Sequence, residues 1–144
     1  MRGRIMLTLC FVATLGNAVE RGPHAPFIDA ALARTHENGE HEHVLRELIA
    51  AHPGQASVHF RLGVLLAGER RWPEARQAFA RAEALLPGQA DILYNLAVCL
   101  DHLEQTAAAS QHYRDALDLA GGQPHRFPVD AARQRLAQLQ ATRP

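Results

Sequence analysis

One spacing constrains this chain more than any other feature: apolar and small residues recur every 34 positions. Leu62-Gly63, Leu66, Ala75, Phe79, Ala82 and Pro87 are followed one period later by Leu96-Ala97, Leu100, Ala109, Tyr113, Ala116 and Gly121. One period earlier stand Ile28, Leu32, Leu45 and Pro53. A period of this length marks a unit that cannot bury its apolar face alone and must stack on its neighbours. Gly63 and Ala97 fall on the first helix of a pair, Ala75 and Ala109 on the second. Small side chains there let two antiparallel helices approach closely. Leu62, Leu66 and Phe79 fill the space beside that contact, as do Leu96, Leu100 and Tyr113. Because Ala97 fills the place equivalent to Gly63, a Gly63→Ala change is expected to be neutral or stabilising. Pro87 ends a helix, having no N–H to donate, and Gly121-Gly122 does the same one period later.

Composition decides what the unit is made of. The chain of 144 residues holds 26 Ala and 19 Leu against 7 Val and 4 Ile. Strong helix formers dominate and strand formers are scarce, so the expected class is all-α. The first helices are expected near 56–69 and 90–103, the second near 73–86 and 107–120. Fifteen basic residues balance fifteen acidic ones, which argues against a nucleic-acid partner. Every basic residue is Arg, so chemistry that needs a Lys nucleophile has no candidate.

Residues 1–18 read differently. Arg2 and Arg4 precede an apolar run, Ile5 to Leu15, and Gly16-Asn17-Ala18 offers small residues for cleavage after Ala18. This is the secretory signal pattern, and the run is short for a bilayer span. The expectation is export to the periplasm, with no membrane span in the mature form. An uncleaved N-terminal membrane anchor is the alternative. Cleavage would leave Cys99 as the one cysteine, without a disulfide partner. A buried small hydrophobe is its expected role.

The 34-residue pattern resembles the tetratricopeptide repeat (TPR), a helix–turn–helix unit with small and large apolar residues at fixed offsets. Trp72-Pro73-Glu74-Ala75 is similar to the start of that family's second helix. The resemblance implies one domain over 22–144, with repeats at about 22–55, 56–89 and 90–123. Val129, Ala132, Leu136 and Leu139 recur at helical spacing among Arg and Gln, as a polar-backed capping helix over about 128–140 would require. In the first repeat Asp29 and His41 replace the small residues, so this repeat is expected to be the loosest. A hydrogen bond between those two is the alternative to simple half-exposure.

Stacked pairs curve, and the first helices line the concave side. There the candidate partner-binding residues are Phe60, Arg61, Val64 and Ala67, then Tyr94, Asn95, Val98, Asp101 and His102. The alternative for Phe60 and Tyr94 is that they pack on the neighbouring helix and complete the core. The resemblance implies that Asn95 could bond a bound peptide's backbone. The clamp that some TPR domains use for a C-terminal carboxylate needs several bases, and here only Arg61 and Arg34 could serve.

The functional expectation is a non-enzymatic protein–protein interaction module. It would be an exported adaptor in a larger bacterial envelope assembly, such as a pilus, secretion, outer-membrane or cytochrome assembly machine. Tyr94 to Val98 and Tyr113 to Leu117 resemble TPR proteins of type IV pilus biogenesis. No nucleophile elbow, phosphate loop or dinucleotide fingerprint is present, so neither an enzyme nor a cofactor is expected. The alternative is a periplasmic metal-handling protein using His36, His41 and His43, which stand among carboxylates. However, His41 and His43 are two residues apart and would face different ways on a helix.

Overall fold

The computed structural model describes Leu32 and residues 38–141. Asp29, His36 and the expected signal segment lie outside the described residues, as does most of the segment expected to form the first helix of repeat one. Among the described residues the chain forms α1 (Asn38–Ala51), α2 (Ala56–Gly68), α3 (Trp72–Leu85), α4 (Ala90–His102), α5 (Thr106–Ala120) and α6 (Val129–Ala141). No strand is present among them. Each helix packs mainly on its neighbours in the chain, and α2 also touches α4. That is the quasi-linear contact pattern of an all-α repeat solenoid.

The helix boundaries follow from local chemistry. Pro73 sits in the first turn of α3, where a missing N–H costs nothing. α2 and α4 end alike: Arg71 N–H donates to Leu66 O, and Gln105 N–H to Leu100 O, each at 2.9 Å. The residues that turn the chain there, Arg70 (φ 60) and Glu104 (φ 59), are left-handed without being glycine. They stand one repeat period apart, so this strained turn belongs to the unit. Gly88, at φ 73, takes the same conformation after Pro87.

The core repeats with the same period. Leu62, Leu66 and Phe79 are buried in one pair, and Leu96, Leu100 and Tyr113 in the next. Ala75, Ala82, Ala97, Ala109 and Ala116 are fully buried where helices meet. From α1, Leu45 joins this core; from α6 and the loop before it, Phe127, Ala132 and Leu139 do so. Phe60 is buried too, at 3% exposure, with its ring 5.5 Å from that of Phe79.

One expectation fails here. A Cβ at Gly63 would lie 2.7 Å from two Phe79 ring carbons. Phe79 is wholly buried and cannot swing out. Ala at Gly63 would force that buried ring to shift, so the substitution is expected to destabilise.

The two described repeats are locked together from a full period away. Gln123 Nε2 donates to Gly88 O, and Gln123 Oε1 accepts from Ala90 N–H, at 3.0 and 3.2 Å. Buried Asp91 accepts the backbone N–H groups of Arg126 and Phe127 at 2.8 and 3.2 Å. The loop before α6 is thereby held against the start of α4. At the other end, Arg71 bonds Glu42, Glu69 and Glu74, tying α1 to the turn before α3.

Candidate functional site

The expected partner-binding residues fall on α2 and α4, the first helices of consecutive pairs, but not all of them reach the surface. Phe60 does not: its ring fills the space beside Phe79, so it serves the core. Tyr94 is half-buried, stacked on Phe127 at 4.7 Å and edge-on to Tyr113 at 5.9 Å. Burial pushes its hydroxyl above the usual phenol range. Both aromatics thus pack largely within the fold. This packing matches the alternative reading of the two positions, in which the rings complete the core beside Leu62 and Leu96.

Asn95 turns one donor inward. Its Nδ2 donates to Asp91 O, one turn back, at 2.7 Å. Asp101 is also engaged, accepting from Arg135 Nε at 2.6 Å and Nη2 at 2.8 Å. This fork joins α4 to the capping helix, and the Tyr113 hydroxyl lies against the same carboxylate. Asp101 therefore braces the fold.

Val64 is different. It is the large apolar side chain most open to solvent among the described residues, at 40% exposure. With Leu32, His41, Leu45, Arg61 and Leu65 it lines an apolar cleft of about 150 Å³. Arg61 is half-buried at this cleft; burial first, then the positive charge of Arg126, lowers the proton affinity of its guanidinium. Val98 is half-buried one period on from Val64.

At the far ends of α2 and α4 the expected Ala67 and His102 meet Trp72, the first residue of α3. The Trp72 indole and the His102 imidazole stack in parallel, 3.8 Å apart with 6° between the planes. Ala67, Gly68 and Arg70 complete a cleft of about 330 Å³ around them. His102 also borders a second cleft of about 340 Å³, with Tyr94, Asp101, Tyr113 and Arg135. Of the expected residues, then, Arg61 and Val64 share one cleft, and Asp101 and His102 share another. Trp72, Arg70 and Arg135 were not anticipated. In the sequence Trp72 marks only the start of a second helix, and its contact with His102, 30 residues along the chain, does not coincide with the repeat period.

The histidines do not converge. His41 lines the apolar cleft, whereas His43 is exposed and reaches Glu47 at 3.3 Å. Among the described residues no three His, Cys, Asp or Glu side chains cluster as a metal would need. His36 lies outside them.

A family model described as tetratricopeptide repeat matches residues 31–90 and again 68–124. Together these matches cover every described helix pair. The chain belongs to the tetratricopeptide repeat family. No curated protein matches it. As a TPR protein, it carries repeats that are characteristically protein-interaction modules. Among the described residues no helix is long and apolar enough to cross a membrane.

Proposed function

We propose that this TPR protein is a non-enzymatic adaptor, exported by its N-terminal segment, that holds a segment of a partner within a bacterial envelope complex. The observation that carries the reading is the cleft at Val64. An exposed branched side chain, a half-buried Arg61 and Leu65 on α2 sit together with Leu45 of α1, which completes the apolar floor. Apolar pockets flanked by arginine are typical of the residues that dominate interface energies. The face continues to Val98 on α4, so an extended or helical segment would cross both repeats. Relative to the initial set, Arg61, Val64 and Val98 carry the contact. Phe60, Tyr94, Asn95 and Asp101 shape the fold beneath it, and His102 stands at its far end.

A photo-crosslinking side chain at position 64 tests this in a native host, with exposed Gln77 on α3 as the control. One protein adduct at 64 and none at 77 is expected. An adduct at 77 alone would move the binding surface to the second helices. Export is tested on the same material by the mature N-terminus, expected at Val19. An intact Met1 on membrane-bound protein would favour the anchored form.

A further inference from the structure

The cleft beside Trp72 has a chemistry of its own. It is lined by Ala67, Gly68, Arg70, Trp72 and His102. Arg70 forms no ion pair among the described residues. The acids nearest in the chain or bordering the neighbouring cleft are engaged elsewhere. Glu69 and Glu74 bond Arg71, and Asp101 bonds Arg135. Nor does the Trp72 indole N–H have an acceptor among the described residues. A planar wall and unmatched donors thus border a cleft that no carboxylate lines. The cleft is open because position 68 has no side chain, whereas His102 stands one period later. A Cβ at Gly68 would meet nothing within 4 Å.

We infer that this cleft binds an Asp or Glu side chain of the partner segment, with the Arg70 guanidinium pairing with the carboxylate and the Trp72–His102 stack packing against the residue beside it. Arg suits this role because its planar fork matches a carboxylate. The inference rests on the proposed adaptor reading and adds to it a required charge at one end of the bound segment.

Trp72 is the one tryptophan in the chain, so its indole N–H resonance reports on this cleft alone. The probes are two blocked dipeptides, N-acetyl-aspartyl-phenylalanine amide and N-acetyl-lysyl-phenylalanine amide, titrated into the full chain to millimolar concentration. The aspartyl probe should shift the indole resonance saturably, and the lysyl probe should not. Arg70→Gln should weaken the aspartyl response at least tenfold. Gly68→Leu should abolish it while leaving the melting temperature unchanged, since the new side chain enters open space. No shift, an equal shift from both probes, or an undiminished response in Arg70→Gln overturns the inference. The crosslink at position 64 keeps the two readings separate. An adduct there with a silent Trp72 rejects the acidic-residue cleft and keeps the adaptor. A Trp72 response without the adduct does the reverse.

Discussion

Gly63 and Phe79 are packed so closely that a Cβ on the glycine would lie 2.7 Å from the Phe79 Cδ1 and Cε1 atoms and 2.9 Å from Cζ. Gly63→Ala gains about 1 kcal/mol of helix propensity. It must also displace a buried ring, at a cost of roughly 1–3 kcal/mol. Net destabilisation is expected in urea unfolding, and a larger one for Gly63→Leu. Phe79→Leu made together with Gly63→Ala should recover part of the loss. A Gly63→Ala variant as stable as the parent would show that the ring yields freely.

This pair also shows what could be read in advance. Positions 62, 66, 79, 96, 100 and 113 were legible as core because their residue types repeat at a fixed interval. The depth of each contact was not legible. Whether a small residue tolerates a methyl depends on how closely one aromatic ring approaches it. The site was legible as a helix face but not as a set of clefts. Phe60 sank into the core, and Tyr94 acquired a cover from Phe127, which reaches it through a loop pinned by Asp91. The Trp72–His102 stack joins the start of one helix to the end of another, at an interval unrelated to the repeat.

Asp101 and Arg135 should prove coupled. Their two hydrogen bonds fasten α6 to α4, and the Asp101 side chain is only 15% exposed. Such a pair exceeds an open surface ion pair in strength, and a coupling of about 1 kcal/mol is expected from a double-mutant cycle of Asp101→Ala and Arg135→Ala. Hydrogen exchange should quicken across 129–141 in either single variant and no further in the double. Additive effects of the two substitutions would show that the fork holds nothing.

Two carboxylates should give opposite pH dependence. Hydrogen bonds from Arg71 and Arg46 hold the Glu42 carboxyl below its ordinary range. Its stabilising contribution is therefore present above the unfolded-state pKa and fades as pH falls through the lower folded value. Burial pushes Glu83 the other way, partly offset by the Gly88 N–H it accepts at 2.9 Å. Its contribution is most favourable below the unfolded-state pKa and is lost as pH rises through the higher folded value. Melting curves should therefore show Glu83→Gln slightly more stable than the parent at pH 7, since the amide oxygen still accepts from Gly88. Glu42→Gln should be less stable at pH 7, with that difference closing in acid. A parent-like Glu42→Gln at neutral pH would remove the Arg71 network from the account of how α1 is held.

Cys99 should be silent to thiol reagents in the folded protein. It is fully buried, and burial pushes its thiol up to about 12. At neutral pH the thiolate that reacts is scarce as well as shielded. Labelling by a disulfide reagent should follow global unfolding, with a rate that rises in step with urea. Rapid labelling without denaturant would reveal a local opening between α3 and α4.

The Gln123 side chain reaches back from the end of its own block to Ala90 at that block's start and to Gly88 at the end of the block before, and the dipeptide Gly-Gln stands at 54–55, 88–89 and 122–123 alike. The clasp is closed at this joint; among the described residues Gln89, one period earlier, makes no such side-chain bond. Duplicating residues 90–123 in tandem would supply a fresh clasp with every copy, so the array is extensible without designing a new joint. Evolution could lengthen such a protein by copying a stretch of DNA, and the binding face would grow by one helix each time.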